Sequence, residues 1–121
     1  MVIFSDLIGK TLTSIDQNKD DELILTTANG ERYMMHHYQD CCESVYIADI
    51  CGDLSDLLDT PIIMADESTS DKHPLGVASG YDESFTWTFY RLSTIKGSVT
   101  IRWYGSSNGY YSESVSFEKL S

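Results

Sequence analysis

Apolar and polar residues alternate with a period of two along much of this chain, which is the pattern of strands that bury one face. Five strands are predicted before residue 66, of which Val45–Ile50 alternates and Ile62–Ala65 is a short apolar run; the other three are Leu12–Ile15, Leu23–Thr27 and Arg32–His37. The second and third flank Asn29-Gly30, and an Asn-Gly pair between two β-rich runs is a strong hairpin signal. We therefore expect an N-terminal antiparallel hairpin.

Two segments carry helical signals instead and are expected to form short helices. Ser5 can cap a first turn that ends at Gly9, where glycine tolerates a left-handed backbone. The segment Asp53–Asp59 has its leucines on one stripe. It is expected to end before Thr60-Pro61, because the residue before a proline avoids the helical region.

The last third of the chain predicts a three-stranded antiparallel meander with strands at Phe85–Leu92, Ser98–Tyr104 and Tyr110–Glu118. Turn length decides which side chains share a face, because a slip of one residue moves every side chain to the other face. Bulged three-residue turns at Ile95–Gly97 and Ser107–Gly109 give the most uniform faces. These turns pair Phe89 with Trp103, Arg91 with Ile101, Ile101 with Val115 and Val99 with Phe117.

These pairings divide the meander into an apolar face and a hydroxyl-rich face. The apolar face is predicted to be core and contains Phe85, Trp87, Phe89, Val99, Ile101, Trp103, Val115 and Phe117. The opposite face contains Thr86, Thr88, Tyr90, Thr100, Arg102, Tyr104, Ser112, Ser114 and Ser116. At roughly 1.5–3 kcal/mol for each large side chain buried, the apolar face can anchor a domain.

Residues 65–84 connect the two halves of the chain. Their centre, Asp66–Glu83, is polar and lacks periodicity, so we expect a long mobile loop of the kind that often carries function. The length of 121 residues is that of one domain. We predict a single α+β domain over residues 1–121, mostly antiparallel β, in which the hairpin and the meander form a curled sheet or half-open barrel beside two short helices.

The formal net charge of −11 is concentrated in the middle of the chain. The segment Asp40–Glu83 contains 11 of the 19 acidic residues and one of the 8 basic residues. Direct binding to nucleic acid or to an anionic membrane is disfavoured, because both require clustered Lys and Arg. Basic protein partners and cations remain open.

The sequence also bears on the compartment. The N-terminal residues lack the pattern of a secretion signal, and no apolar run approaches the ~20 residues of a membrane span. Three cysteines, an odd number, do not indicate a disulfide framework. We therefore expect a cytoplasmic protein in a reducing environment.

The run His36–Glu43 is the main candidate for metal or catalytic chemistry. The candidate metal ligands are His36, Cys41, Cys42 and Cys51. Zinc binding is disfavoured because adjacent residues of a strand point to opposite faces, and no C-x-x-C pair is present. Catalysis by a Cys–His pair lacks any accompanying catalytic motif. We expect neither a cofactor nor an enzyme, with His36 and one cysteine in or near the core.

A first candidate binding surface combines arginines with aromatic rings. Its predicted ligand contacts are Arg32, His37, Trp87, Arg102, Trp103 and Tyr104. Arginine can grip a phosphate and aromatic rings can stack on a base, so a small nucleotide-like ligand fits this set. The alternative is an ordinary solvent face, for which Thr, Ser and Tyr are common strand residues.

A second candidate surface is acidic. Asp53, Asp56 and Asp59 recur every three residues on the outer face of the second predicted helix. Asp59 lies at the C-terminal end, where the helix dipole disfavours a negative charge. A basic protein partner would explain this placement, and so would a solvated helix face.

Three consecutive runs resemble a family of short phage and prophage proteins of unknown function: His36–Ser44, Val45–Ile50 and Gly52–Leu57. The most specific part is the HHYQDCCESV signature. Further similar segments are Leu7–Thr11, Thr86–Tyr90 and Ile101–Gly105. The resemblance implies a phage origin and a single-domain fold.

The phage resemblance implies interference with a host system, by analogy with small phage proteins that sequester nucleotide signals in oligomeric pockets. The first expected function is therefore non-enzymatic binding and sequestration of a small nucleotide-like signal that counters a host defence. An alternative is an acidic inhibitor that mimics nucleic-acid charge and blocks a basic host nuclease or polymerase. A second alternative is a small metal-binding protein. The sequence leaves both a monomer and a homo-oligomer open.

Overall fold

A computed structural model of the chain describes residues 2–39, 41–71, 84–108 and 112–120. The described residues form the strands β1 (Leu12–Lys19), β2 (Glu22–Thr27), β3 (Arg32–His36), β4 (Ser44–Cys51), β5 (Met64–Ser70), β6 (Ser84–Thr94), β7 (Gly97–Ser107) and β8 (Ser116–Lys119). Two single turns of 3-10 helix lie at Phe4–Leu7 and Leu54–Leu57. A small, mostly antiparallel β fold is thereby confirmed.

The strands form two antiparallel sheets of four strands each. Sheet 1 has the order β1-β2-β3-β8, and sheet 2 has the order β4-β7-β6-β5. The predicted N-terminal hairpin is confirmed as β2–β3, in which Leu25 lies opposite Tyr33. Its turn contains Gly30 with a φ of 87°, a backbone region that strains residues with a side chain.

One hydrophobic core lies between the inner faces of the two sheets. Its strand residues are Leu12, Leu23, Leu25, Tyr33 and Met35 from sheet 1, and Val45, Ile47, Ala65, Tyr90, Leu92, Val99, Ile101 and Trp103 from sheet 2. The first 3-10 turn closes one side of the core, where the Phe4 ring lies 4.7 Å from the Tyr90 ring. Because burial of each large side chain is worth roughly 1.5–3 kcal/mol, this shared core holds the two sheets together.

The two predicted short helices are not α-helices but single 3-10 turns of four residues. Four residues are too few to repay the free-energy cost of nucleating an α-helix. Asp53 caps the second turn by accepting a hydrogen bond from the Ser55 N–H at 3.0 Å. Asp59 then adopts a φ of 67°, so the chain leaves the helical region before Pro61.

The predicted third strand of the meander belongs to the other sheet. β8 pairs with β3, so the predicted pairs Ile101–Val115 and Val99–Phe117 are wrong. β4 takes the edge of β7 instead, and two separate open sheets replace the predicted curled sheet or half-open barrel. The Phe117 ring stacks on the Tyr33 ring at a centroid distance of 5.4 Å, a long-range contact that strand alternation does not reveal.

The β6–β7 hairpin has a two-residue turn instead of the predicted bulged turn at Ile95–Gly97. Thr94 lies opposite Gly97, so Phe89 is paired with Arg102 and not with Trp103. The other predicted bulged turn, at residues 107–109, extends beyond the described residues.

This register exchanges the two faces of β6 relative to the predicted arrangement. Tyr90 and Leu92 point into the core with no exposed surface. Phe85 and Phe89, which were predicted to be core, are only half-buried on the outer face. Trp87 lies on this outer face too and is absent from the core cluster, although it is only 5% exposed.

Part of the predicted loop over residues 65–84 is a strand. β5 extends to Ser70 and pairs with β6, placing Asp66 opposite Arg91. Its apolar alternation is weak because β5 is an edge strand in which Ala65 is the one buried residue. Residues 72–83 of the predicted loop lie outside the described part of the chain.

Candidate functional site

The outer face of sheet 2 gathers aromatic side chains from three adjacent strands. We call this set the aromatic face: Tyr46 of β4, Phe85, Trp87 and Phe89 of β6, and Tyr104 of β7. The strand register brings them together, because Tyr104 lies opposite both Tyr46 and Trp87, and directly opposite residues project from the same face.

The rings of the aromatic face are in mutual contact. Trp87 meets Tyr104 at a centroid distance of 4.9 Å with an interplanar angle of 60°, and it stacks on Phe89 at 6.3 Å. Phe85 and Tyr46 each lie 6.0 Å from Tyr104. Trp87 and Tyr104 are 5% and 9% exposed and form the floor, whereas the other three rings are half-buried around them.

Arg102 lies beside this aromatic floor and is held by Asp49. The Arg102 Nε donates to Asp49 Oδ1 at 2.5 Å, and the Nη2 donates to Oδ2. The guanidinium carbon lies 5.8 Å from the Trp87 ring centroid, within the range of cation–π contacts. Arg102 lowers the pKa of Asp49, mainly through its hydrogen bonds, and Asp49 raises the pKa of Arg102.

A β-bulge at Ala48 positions Asp49 for this contact. Ile47 pairs with Trp103 and Asp49 pairs with Arg102, so Ala48 is the extra residue in β4. Without it, strict alternation would place Asp49 on the same face as Ile47, which is buried in the core.

The structure brings together three of the six predicted ligand contacts, namely Trp87, Arg102 and Tyr104. Trp103 points into the core, where its Nε1 is buried without a hydrogen-bond partner among the described residues. Arg32 is exposed on β3 of the other sheet, and His37 follows that strand. Sequence reasoning missed Tyr46, Phe85 and Phe89 as site residues, and only the correct β6–β7 turn length would have indicated the two phenylalanines.

His37 belongs to a buried polar cluster at the connection between the sheets. Its Nδ1 lies 2.7 Å from the carbonyl oxygen of Ser114, and its Nε2 lies 2.8 Å from Glu43 Oε2. The side chains of His37 and Glu43 are 5% and 0% exposed. The Cys41 N–H donates to Glu43 Oε1 at 2.8 Å, so this run of the signature organises the β3–β4 connection.

His36 joins a different cluster, on the outer face of sheet 1. Its Nε2 lies 3.1 Å from Glu118 Oε2, and the Tyr38 hydroxyl donates to Glu118 Oε1 at 2.5 Å. These two contacts lower the pKa of Glu118, the Tyr38 hydrogen bond having the larger effect. The carboxylate therefore remains ionised at neutral pH.

The four candidate metal ligands are not gathered at one point. His36 lies in β3, Cys51 is exposed at the end of β4, and Cys41 and Cys42 are disulfide-bonded to each other. Within the described ranges, no group of three or more His, Cys, Asp or Glu side chains could hold a metal ion.

The three aspartates of the acidic alternative each have a local structural role. The Asp53 carboxylate caps the second 3-10 turn, and its pKa is lowered by the Ser55 hydroxyl and N–H. The Asp56 carbonyl accepts a hydrogen bond from Thr94. Asp59 reverses the chain with its positive φ while its N–H donates to the Leu12 carbonyl at 2.8 Å. The contacts of Asp56 and Asp59 are made by backbone atoms, so a basic partner for the three carboxylates stays a prediction.

A cavity of about 760 Å³ lies away from the aromatic face. It is lined by Val2 and by all four residues of β8, Ser116–Lys119. A smaller cavity of about 330 Å³ lies beside Lys10 and Asn29 at the hairpin end of sheet 1. In the parts of the chain that the structure describes, no helix has the length and apolar character needed to cross a membrane.

The fold and the site define a small protein of two antiparallel sheets with an aromatic, arginine-flanked outer face. The chain belongs to the family described as "Domain of unknown function (DUF7448)", whose profile matches residues 5–117. No curated protein and no solved structure matches the chain.

Proposed function

We propose that this protein is a non-enzymatic binding protein that sequesters a small nucleotide-like ligand on the aromatic face. The observation that carries the proposal is the convergence of Trp87, Tyr104 and Arg102 on one face of sheet 2. Aromatic rings can stack on a planar base, and a guanidinium held over a ring adds a cationic contact.

The chemistry of Arg102 narrows the class of ligand. Asp49 accepts from two of the five N–H donors of Arg102 and its negative charge offsets that of the guanidinium, so the attraction of Arg102 for a ligand phosphate is reduced. Stacking of the base on the half-buried rings Phe85, Phe89 and Tyr46 then supplies the main attraction. Accordingly, the ligand in this proposal is a nucleotide or dinucleotide of low phosphate charge.

The biological setting of the proposal follows from the resemblance to phage and prophage proteins. A phage-encoded protein that withdraws a nucleotide signal from the host cytosol would counter a defence process that depends on that signal. Membership in the DUF7448 family assigns no function, so this role and a homo-oligomeric state are proposals.

Titration calorimetry with a panel of cyclic nucleotides and ADP-ribose derivatives tests the proposal. We expect heat from at least one ligand and quenching of tryptophan fluorescence, since a base stacked on Phe89 would lie close to Trp87, whose ring stacks on that of Phe89. The chain has two tryptophans, and Trp103 in the core provides an internal reference.

The variant Trp87→Phe is the matched control, because it retains an aromatic floor but leaves only Trp103 to fluoresce. Ligand addition should no longer quench its fluorescence. Absence of heat from every ligand, at protein concentrations well above micromolar, would show that the proposed function is wrong.

A further inference from the structure

β8 lies at an edge of sheet 1. β8 pairs with β3 on one side, and the cavity of about 760 Å³ lies along it. The lining of this cavity is Val2 and the four consecutive residues of the strand. Among the described residues β3 is the only strand that pairs with β8, so the other edge of β8 faces this cavity.

The backbone of β8 presents unused hydrogen-bonding groups to this groove. The Leu120 N–H donates to the Arg32 carbonyl at 2.6 Å, and Glu118 lies opposite Met34 in the same register. Opposite residues in an antiparallel ladder alternate between hydrogen-bonded and non-hydrogen-bonded pairs. Because Leu120 and Arg32 form a hydrogen-bonded pair, so do Glu118 and Met34, and the N–H and C=O groups of Phe117 and Lys119 point away from β3. None of these four groups has a backbone hydrogen bond within the described ranges.

The other sheet edges carry features that hinder strand addition. β1 and β4 contain irregularities in register, and the N–H of Ile47 in β4 already donates to the Asp20 carbonyl. β5 has the adjacent carboxylates Asp66 and Glu67 and no cation of its own to offset them, and charged residues are a common protection of edges. The two charges of β8, Glu118 and Lys119, are instead opposite in sign, and each already lies within ion-pair distance of another side chain. β8 has a regular register with β3 and a cavity beside it.

A second copy of β8 is a poor occupant of this edge. If two copies of β8 paired around a two-fold axis, residues lying opposite each other would have to project from the same face of the joined sheet. Registers centred on Glu118 or on Lys119 would then oppose two like charges directly, which is destabilising. The register centred on Phe117 avoids this but pairs Lys119 with Val115, which lies outside the strand.

The side chains along the edge indicate a different occupant. The Glu118 carboxylate is ionised and its side chain is 38% exposed on the outer face. On the inner side Phe117 is half-buried beside Val2. Opposite-charge and apolar cross-strand pairs both stabilise an added strand.

We propose that the edge of β8 accepts an extended segment of a partner protein as a fifth strand of sheet 1, with Lys or Arg opposite Glu118 and an apolar residue opposite Phe117. Backbone hydrogen bonds to Phe117 and Lys119 would provide affinity, and the two side-chain pairs would provide selectivity. This binding mode is independent of the aromatic face.

Fluorescence anisotropy with a labelled peptide of alternating Lys and Val tests the proposal. The substitution Lys119→Pro removes an outward N–H without removing a bond to β3, and Lys119→Ala is its matched control, because both lose the ion pair with Glu31. We expect Lys119→Pro to bind the peptide about tenfold more weakly than Lys119→Ala, as for loss of one hydrogen bond.

Two peptide controls keep the test decisive if Lys119→Pro fails to fold. Methylation of alternate backbone nitrogens in the peptide should abolish binding to the natural protein, and replacement of Lys by Glu should weaken it. Equal binding of the methylated peptide, equal binding to Lys119→Pro, or no binding of the Lys–Val peptide would each overturn the proposal. Sedimentation showing a dimer that Lys119→Pro dissociates would overturn it as well.

Discussion

The pair His37 and Glu43 is the most buried ionisable contact among the described residues. Each ring nitrogen of His37 lies within hydrogen-bond distance of an oxygen, Nδ1 of the Ser114 carbonyl and Nε2 of the Glu43 carboxylate. The cluster joins the end of β3, the start of β4 and the segment before β8. Its role in this structure is to fix chain connections, although the same residue types attract a catalytic interpretation in the sequence.

Removal of the Glu43 charge tests this structural role. We expect Glu43→Gln to lower the free energy of unfolding by about 2–4 kcal/mol, because breaking a buried charged pair leaves its partner unsatisfied. Chemical denaturation measures the loss, with Asp21→Asn at an exposed position as a control that should change stability by less than about 0.5 kcal/mol. Equal stability of both variants would contradict the structural role.

The proposed function predicts that Asp49 weakens phosphate binding at the aromatic face. We expect Asp49→Asn to bind a phosphorylated ligand about five- to tenfold more tightly, because the freed Arg102 can then contact phosphate. Affinity for the matching nucleoside should stay unchanged. The loss of stability should be below about 1 kcal/mol, since the Asp49 side chain is 43% exposed.

Calorimetry with the nucleotide and its nucleoside in parallel measures both affinities. Weaker nucleotide binding by Asp49→Asn would mean that Asp49 contacts the ligand itself or positions Arg102 for it.

At the scale of elements, one turn decides which residues of β6 are core. The β6–β7 turn is tied to the second 3-10 turn, because Thr94 donates to the Asp56 carbonyl and accepts from the Lys96 N–H at 3.2 Å. The Lys96 ammonium also donates to the Leu58 carbonyl at 2.9 Å. These tertiary contacts favour a two-residue turn, and local sequence does not contain them.

The buried hydroxyl of Thr94 should therefore stabilise the fold. We expect Thr94→Val to lower the free energy of unfolding by about 1–3 kcal/mol, because the Asp56 carbonyl loses its donor while side-chain shape is conserved. Thr94→Ser keeps the hydroxyl and should cost less than Thr94→Val. Urea denaturation of the two variants measures the difference, and the reverse order would contradict the anchoring role.

The alternation of apolar and polar residues predicted the positions of the strands better than it predicted which strands pair with each other. The β2–β3 hairpin followed from Asn29-Gly30, since its signal is local. The partner of β8 could not be deduced, because its pairing depends on Phe117 packing against Tyr33 from the other end of the chain. Tyr104 and Arg102 were placed on the correct face because β7 alternates regularly, whereas β6 depended on the turn.

At the scale of the whole molecule, Glu31 connects three distant parts of the chain. Its carboxylate lies 2.8 Å from the ammonium of Lys10, near the N-terminus, and 2.8 Å from that of Lys119 in β8. Hydrogen bonds from both ammonium groups, chiefly that of Lys10, lower the pKa of Glu31 from 4.5 to about 2. The turn of the β2–β3 hairpin is thus linked by ion pairs to the segment before β1 and to β8.

This depressed pKa predicts acid sensitivity of the fold. A carboxylate with a lower pKa in the folded state stabilises the protein above its unfolded pKa, and the contribution disappears as the pH falls from about 4.5 to about 2. Glu31→Gln should therefore show a shallower fall in stability over this window, seen in urea midpoints at successive pH values. An unchanged slope would mean that the ion pairs do not persist in solution.

The pairing of β8 with β3 also has a consequence for how the chain folds. His36 and Glu118, which meet across this pair, are separated by 82 positions in the chain. During synthesis β1, β2 and β3 emerge before β8 and can form their local hairpins, but β3 lacks its β8 neighbour until residues 116–119 have been made. Completion of sheet 1 is therefore a later step than formation of its hairpins, and closure of so long a loop slows it. A nascent chain stalled before residue 116 would expose the inner side of Tyr33 and become a substrate for chaperones.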